Sequence, residues 1–342
     1  MAASRKKNLL IIAIVVVLIM VVVLSLFVFL ISPRLYTGKL EPINIGLYPS
    51  EYTSLIYIAN DQKYFSANGL NVTFKTYLSG ASAVSGMLKG EVDASTGSEF
   101  VVASNVMKNA SLCAFGSVSK YLNVYLAARI DKGINSISDL EGKRIGITLE
   151  SSNQFYLSRF LELNGINQSK VTLVNINFVE TPNALANGTV DATVTFQPYL
   201  NQIQSFLPNK TVVFPIQSNQ FGYFEATCAK SWASSHSDLI IKLLKALIQA
   251  ESFNINHQDK AIAIVAKDLN YTDSYATSVW PDFQYSVTLD QSFVLLMQEE
   301  ARWLISNNLT SLTSVPNFLT NIYSDGLKSV RPQSVNIIGL GN

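Results

Sequence analysis

The sequence predicts an α/β protein of two similar lobes that follow an N-terminal transmembrane helix. Three observations lead to this prediction. Two stretches repeat one pattern, residues 88–98 (LKGEVDASTGS) and residues 185–195 (LANGTVDATVT). Strand-like and helix-like segments alternate around both stretches, which is typical of parallel sheets with crossover helices. A long run, apolar apart from Ser25, precedes all of this at residues 9–31.

The apolar run is long enough to cross a membrane, since about 20 apolar residues span a bilayer as a helix. It follows the basic residues 5–7, which should stay in the cytoplasm. We therefore expect a cytoplasmic stub at residues 1–8, an anchor at 9–31 and a linker at 32–41. A cleaved signal peptide is the alternative, although its apolar region would be about 7 to 15 residues long and would end at a small-residue site.

Charge and sequons describe the expected surface. A net charge of +1 recruits neither nucleic acid nor an anionic surface. The sequence holds several N-x-S/T sequons, which suit a glycosylated protein outside the cell membrane, and with the low charge they suggest an archaeal or acid-exposed cell surface. The sequon residues are Asn71, Asn109, Asn167, Asn187, Asn209, Asn270 and Asn308. The two cysteines, Cys113 and Cys228, either form a disulfide or remain buried thiols.

The first lobe is expected at residues 42–129 and 224–342. Hydrophobic periodicity and glycine positions predict its elements. In order these are a strand at 43–48, a helix ended by Gly69, a strand at 72–77, a helix ended by Gly90, a strand to residue 98 and a helix at 99–108. Two apolar runs then flank residues 117–120, and the second run leaves the lobe. A strand at 224–230 returns to it, and the helical residues 238–305 should pack around it.

The second lobe is expected at residues 130–223 and repeats the alternation of the first. Its predicted elements are a strand at 145–148, a helix at 154–164, a strand at 171–178, a helix from Pro182 and a short strand that ends before Phe196.

The repeated stretches themselves predict a local geometry. A helix ends at Gly90 or Gly188 in the left-handed conformation, and a short buried strand follows. In open α/β sheets ligands bind beyond the carboxyl ends of strands. Ligand-binding residues are therefore expected after each strand. Asp93 and Asp191 precede the strands and are expected to shape the turn.

The order of these segments resembles the NMT1/THI5-like family, the extracytoplasmic solute-binding proteins of ABC importers for nitrate, sulfonates, taurine and thiamine precursors. The resemblance is carried by the Gly-x-x-Asp-Ala unit used twice, by DLEGKRIG from Asp139 to Gly146, and by FQPY from Phe196 to Tyr199. It implies a two-lobe type II periplasmic-binding-protein fold. In that fold, closure of the lobes holds a small polar solute, a sulfonate-, taurine- or nitrate-like anion or a pyrimidine-type thiamine precursor, for delivery to an ABC permease.

The resemblance also implies cleft-lining loops, and all of them fall at predicted strand ends. N–H groups exposed at a helix start can hold an anion, with hydroxyls as further donors. Helix capping alone is the other interpretation of each such turn. The expected ligand-binding residues are Tyr48, Ser50, Glu51, Tyr52, Ser79, Gly80, Ala81, Ser82, Thr96, Gly97, Ser98, Ser151, Ser152, Asn153, Gln197 and Tyr199.

These loops contain neither Lys nor Arg, so an anion would depend on N–H groups and hydroxyls. An inward Glu51 would instead favour a ligand with an amine or ring N–H. A thiamine-pyrimidine-synthase-like enzyme on the same fold is the alternative function. We expect no catalytic residues, metal or cofactor, because the cysteines are isolated and His236 and His257 fall in the helical part.

Overall fold

The computed structural model describes residue 20 and residues 36–340. Leu40–Asn342 is one compact unit, separate from Met1–Lys39. Apart from Met20, the anchor expected at residues 9–31 lies outside the described residues, as does the stub at 1–8. Within the described part of the chain, no helix combines the length and the apolar character that a membrane crossing needs.

One half of the described fold is built on a six-stranded sheet. Its order is β11-β4-β10-β3-β1-β2, in which β1 pairs in parallel with β2 and β3, and β10 runs antiparallel to β3 and β4. The strands are β1 (Glu41–Leu47), β2 (Leu70–Thr76), β3 (Ala94–Ser98), β4 (Leu112–Tyr121), β10 (Gly222–Ala229) and β11 (Phe283–Gln284). The predicted parallel alternation is therefore confirmed for the first three strands.

A five-stranded sheet repeats the same plan. Its order is β7-β6-β8-β5-β9, with β6 parallel to β7 and β8, and β5 antiparallel to β8 and β9. The strands are β5 (Tyr125–Arg129), β6 (Arg144–Ile147), β7 (Thr172–Asn175), β8 (Ala192–Thr195) and β9 (Thr211–Pro215). The predicted similarity of the two halves thus extends to their strand order.

Helices connect the strands and cover the sheets. They are α1 (Ser54–Asp61), α2 (Tyr64–Ala67), α3 (Gly80–Leu88), α4 (Glu99–Met107), α5 (Ser152–Leu163), α6 (Thr181–Ala186), α7 (Tyr199–Phe206), α8 (Lys230–Ser235), α9 (Ser237–Asn256), α10 (Gln258–Leu269), α11 (Asp273–Val279), α12 (Gln291–Ser306) and α13 (Asp325–Val330). Helix α9 packs on α1, and α12 packs on α4. The C-terminal helices therefore cover the half built on the six-stranded sheet, as predicted.

The repeated glycine units have the predicted geometry. Gly90 and Gly188 take φ values of +76° and +81°, and the strands that follow, β3 and β8, are buried. The aspartates do more than shape the turn, because each one bonds the parallel strand next to the strand that follows it, β1 for Asp93 and β6 for Asp191. Asp93 accepts the N–H of Asn44 at 2.7 Å, and Asp191 accepts the N–H of Arg144 at 3.0 Å.

The strand predicted at 171–178 is shorter than expected. It ends at Asn175, because the side chain of Asn177 accepts the N–H of Val179 and caps a single 3₁₀ turn, Phe178–Glu180. The first of the two apolar runs continues through residues 117–120 as one strand, β4, and the second run forms β5 of the other sheet.

The chain crosses between the sheets at residues 122–124 and 216–221. Tyr125–Arg129 already pairs within the five-stranded sheet, so halves drawn by sheet membership change before Tyr125, where the sequence prediction placed the change after residue 129. The crossings are bonded to each other. Ile216 donates its N–H to the carbonyl of Val124, and the buried Gln217 side chain bonds Val124 N–H and the carbonyl of Tyr121.

Candidate ligand-binding cleft

A cavity of about 330 Å³ lies between the two sheets and takes its lining from both. Its volume is in the range of small-molecule sites. The lining residues are Tyr48, Tyr52, Ser79, Gly80, Ala81, Ser98, Val101, Tyr121, Val124, Thr148, Leu149, Glu150, Ser151, Ser152, Asn153, Phe178, Phe196 and Phe224.

Three helices begin at serines in this lining. The hydroxyl oxygens of Ser79, Ser98 and Ser151 accept N–H groups of the first turns of α3, α4 and α5. Ser79 and Ser82 form a reciprocal capping box. Helix starts combine free N–H donors with the positive end of the helix dipole, so together they favour a negatively charged or strongly polar ligand group. Two of these helices belong to the six-stranded half and one to the other half.

Two glycines allow α3 to approach β3 at the cavity. A Cβ on Gly80 would lie 3.1 Å from the Cα of Gly97 and from the ring of Phe224. A Cβ on Gly97 would lie 2.8 Å from Val84 and 3.4 Å from the carbonyl oxygen of Gly80. Neither glycine has positive φ. They are therefore needed for close approach, and they bring Ser79 and Ser98 to the same cavity.

Aromatic rings form the rest of the wall. Tyr52 packs against Tyr121 at 4.9 Å and against Phe224 at 5.1 Å between ring centroids, all from the six-stranded half. Across the cavity, Phe178 packs against Phe196 at 5.6 Å. The lining is therefore polar at the helix starts and aromatic elsewhere.

A buried carboxyl group lies directly behind the cavity. Glu99, the first residue of α4, has no exposed surface. Its Oε1 accepts the hydroxyls of Tyr121 and Tyr156, each at 3.1 Å, and its Oε2 accepts the N–H of Tyr223 at 2.8 Å. Burial raises the pKa of Glu99 to about 7, although these donors act in the opposite direction.

The structure brings most of the expected ligand-binding residues together. The cavity lining includes Tyr48, Tyr52, Ser79, Gly80, Ala81, Ser98, Ser151, Ser152 and Asn153. Ser82 and Tyr199 line an adjoining groove, which Tyr48 shares. Ser50, Glu51, Thr96, Gly97 and Gln197 are in neither lining.

For each of these five residues, a local contact explains why it does not line the cavity or the groove. Thr96 and Gly97 are held within β3, paired with β10, and Gln197 bonds Asn201 one turn further along. Ser50 donates to the carbonyl of Tyr48. The Glu51 carboxylate accepts the hydroxyls of Tyr271 and Tyr275 at 3.0 and 3.3 Å. Burial raises the pKa of Glu51, and the carboxyl group faces these two tyrosines and not the cavity.

Several lining residues were not among the expected ligand-binding residues. Tyr121 precedes the first crossing between the sheets and Val124 is its last residue, Phe178 follows the early end of β7, and Phe224 lies on returning strand β10. Phe196 belongs to the FQPY stretch that carries the family resemblance but is not among the expected ligand-binding residues. An aromatic residue at a predicted strand end was the available signal for Phe178 and Phe224.

The possible reactive groups lie elsewhere. Cys113 and Cys228 are buried partners in β4 and β10, with sulfur atoms 3.8 Å apart. His236 stacks on Trp232, and His257 packs on Phe253. Among the described residues no group of three or more His, Cys, Asp or Glu side chains is placed to hold a metal ion.

Comparisons with known proteins agree with this architecture. The family described as NMT1/THI5 like matches residues 50–261. The taurine-binding periplasmic protein of Escherichia coli (strain K12) is 24% identical over 205 residues, which cover 58% of this chain and 62% of that protein. The alkanesulfonate-binding protein SsuA from Xanthomonas axonopodis pv. citri, bound to MOPS, superposes with a TM-score of 0.70 at 16% identity, over 84% of this chain and 100% of that chain.

An enzyme shares the fold. The desulfurization enzyme DSZB superposes with a TM-score of 0.63 at 16% identity, over 86% of this chain and 99% of that chain. At such identities the structural matches show the fold alone, which is the two-sheet α/β fold of periplasmic binding proteins.

Proposed function

Since this chain belongs to the NMT1/THI5-like family, we propose that it is an extracytoplasmic solute-binding protein that captures a small solute with an anionic, sulfonate-like head. The observation that carries the proposal is the set of three serine-capped helix starts on one cavity between two sheets. Pyrimidine-type thiamine precursors are the other solutes that the family resemblance suggests.

Binding depends on neutral donors in this proposal. Among the described residues that line the cavity there is neither Lys nor Arg. The first-turn N–H groups and the serine hydroxyls therefore compensate the charge of the head, and such donors suit a singly charged anion. A multiply charged anion would lose more hydration than these groups replace.

Closure of two lobes completes the donor set. We place the lobes around the two sheets, with 42–124 and 222–340 in one and 125–215 in the other. Helices α3 and α4 offer their donors from the first lobe, and α5 offers its donors from the second. The bonded crossings at Val124 and Gln217 act as the hinge, which matches the hinge motion of binding proteins that close around ligands.

Location and partner follow from the same proposal. The apolar residues 9–31 anchor the protein, and the binding lobes lie on the outer side, where they deliver the solute to an ABC permease.

All seven sequon asparagines are exposed, which supports a glycosylated surface. Intact mass spectrometry of protein from its native host tests this, since unmodified mass would contradict glycosylation.

Binding without chemistry is favoured over an enzyme. The cysteines pair with each other between β4 and β10, and both histidines pack on helical aromatic residues, so none of these groups lines the cavity. The pyrimidine-synthase alternative has no comparable observation in its support.

A thermal-shift panel tests the proposal. Taurine, alkanesulfonates, nitrate, bicarbonate and aminopyrimidines are added separately, because a ligand that binds the native state raises the melting temperature by mass action. We expect a shift with at least one sulfonate. A panel without any shift would contradict solute binding of this kind.

A double variant connects the shift to the cleft. Ser79→Ala with Ser152→Ala should abolish it, since both residues line the cavity. Ser136→Ala is the matched control, because Ser136 also caps a helical turn but lies outside the cavity lining. Ser79 is a helix cap and Ser152 is the first residue of α5, so each protein loses one cap, which costs about 1 kcal/mol, and both should stay folded. A shift retained in the double variant would show that the solute binds elsewhere.

A further inference from the structure

We infer that the preferred solute carries a large uncharged apolar or aromatic tail beside its anionic head, and that small or ammonium-bearing sulfonates such as taurine are poor ligands. This inference rests on the proposed function and specifies its substrate class. It follows from the composition of the cavity away from the helix starts.

Most of the cavity wall opposite the polar end is apolar. Six of the lining residues are aromatic, and they come from both halves of the molecule: Tyr48, Tyr52, Tyr121, Phe178, Phe196 and Phe224. Val101 and Val124 fill positions between them. A small, fully polar solute would leave these rings in contact with water, whereas an apolar tail would remove that water.

The tyrosines present rings to the cavity, because their hydroxyls are already bonded. The hydroxyl of Tyr52 donates to Asn123 at 2.8 Å, and that of Tyr121 donates to Glu99. The hydroxyl of Tyr48 is hydrogen-bonded with Tyr199. These side chains therefore contribute apolar surface more than free donors, and aromatic rings are suited to contact with another ring.

The apolar wall continues to the outside. Tyr48 and Phe178 line both the cavity and an adjoining groove of about 860 Å³. Leu78 and Val179, one from each half, also line the groove and are 89% and 49% exposed. A tail longer than the cavity can therefore extend into this apolar groove, so the cavity volume does not limit the solute to small anions.

An ammonium group finds little compensation here. Among the described residues of the lining, Glu150 alone is acidic, and it is exposed to solvent, where charge pairs contribute little. Glu51 is outside the lining and bonds Tyr271 and Tyr275. An ammonium at the aromatic wall would lose hydration without a buried partner.

Calorimetric titration of the full chain tests the inference. The probes are naphthalene-2-sulfonate, benzenesulfonate, hexanesulfonate, methanesulfonate and taurine, which share one head and differ in the tail. Burial of the added apolar surface should make the naphthalenesulfonate Kd at least about tenfold lower than those of methanesulfonate and taurine. Equal or tighter binding of taurine or methanesulfonate would overturn the inference and leave the proposed function intact. Failure of every panel solute to bind would contradict both.

Variants locate the tail. Phe178→Ala and Phe196→Ala should each weaken naphthalenesulfonate binding several-fold more than methanesulfonate binding, because they remove rings from the wall. Phe206→Ala is the matched control, since Phe206 is 51% exposed and outside both linings. Circular dichroism and melting temperature verify folding. Equal losses for both sulfonates, or an equal loss in Phe206→Ala, would overturn the assignment of the tail to this wall.

Discussion

The hydroxyl of Tyr156 donates to Glu99 Oε1 at 3.1 Å and joins the two halves of the molecule behind the cavity. Tyr156 belongs to α5, which follows β6 of the five-stranded sheet, whereas Glu99 begins α4 after β3 of the six-stranded sheet. Both side chains are fully buried. The bond therefore lies between two helices whose N-terminal capping serines, Ser98 and Ser151, line the cleft, and it connects the position of one helix start to the other.

Removal of this hydroxyl should destabilise the protein. In Tyr156→Phe the buried Glu99 loses one donor, and a hydrogen bond to a charged group contributes about 1.5–3 kcal/mol. The same change raises the pKa of Glu99 further. We expect the loss of unfolding free energy in urea to be larger at pH 8, where Glu99 is ionised, than at pH 5.

Tyr77→Phe is the matched control, because Tyr77 donates to Glu91, an exposed carboxylate. Its effect should be small at both pH values. Equal losses in the two variants would show that the bond between Tyr156 and Glu99 does not contribute as proposed.

Two buried carboxyl groups predict a loss of stability as the pH rises from about 5 to about 8. Burial raises the pKa of Glu99 to about 7 and that of Glu225 to about 8, from 4.5. Between the two pKa values of each group the native state holds a proton that the unfolded state has released, so the group's contribution to stability is fully present below pH 4.5 and is lost as the pH rises through the native pKa. Each group contributes a slope of about 1.4 kcal/mol per pH unit within its window.

Glu225→Gln separates one of these contributions. Gln is uncharged, and its side-chain oxygen can still accept the hydroxyl of Ser117, which bonds Glu225 at 2.5 Å. The unfolding free energy should decline less steeply between pH 5 and pH 8, because the variant releases about one proton fewer on unfolding. Glu91→Gln, at an exposed position, is the control and should leave the slope nearly unchanged. An unchanged slope in Glu225→Gln would contradict the raised pKa.

Gly97→Ala should impair both stability and ligand binding. The added Cβ would lie 2.8 Å from Val84, so α3 and β3 must move apart, and overpacking of this kind costs about 1–3 kcal/mol. Because Ser79 caps α3 and Ser98 is the last residue of β3, the ligand-induced melting shift should also shrink.

Gly142→Ala is the control for that variant. Gly142 has a φ of +77° and open space around it, so alanine there strains the backbone without contact with the cavity. It should lower the melting temperature and keep the ligand-induced shift. Loss of the shift in both variants would indicate that general destabilisation, and not the glycine contact, controls binding.

The two cysteines should react slowly in the native protein. Cys113 and Cys228 are 3% and 0% exposed, and both are free thiols. The hydrogen bond with Cys113, together with burial, raises the pKa of Cys228, which disfavours its reactive thiolate. Ellman's reagent should label little native protein and two thiols after denaturation without reductant. Absence of thiols in the denatured protein, with recovery after pre-reduction, would demonstrate a disulfide.

The fold was largely predictable because its signals are local. The turn after Gly90 and the one after Gly188 need positive φ, buried strands need apolar runs, and helix starts need capping serines, all within a few residues of chain. These patterns predicted the two α/β halves, the cleft between them and the three helix starts that line it. They also indicated the family, because its sequence motifs occur in the same order along this chain.

Only the tertiary structure decided which aromatic residues form the wall of the cavity. Phe178 reaches the cavity because β7 ends early, and Phe224 because the chain returns to the first sheet after the whole second half. Glu51 bonds Tyr271 and Tyr275, more than 200 positions further along the chain. Contacts between residues so far apart depend on how helices and sheets pack, since local propensity specifies which face of an element is apolar but not which residues meet it.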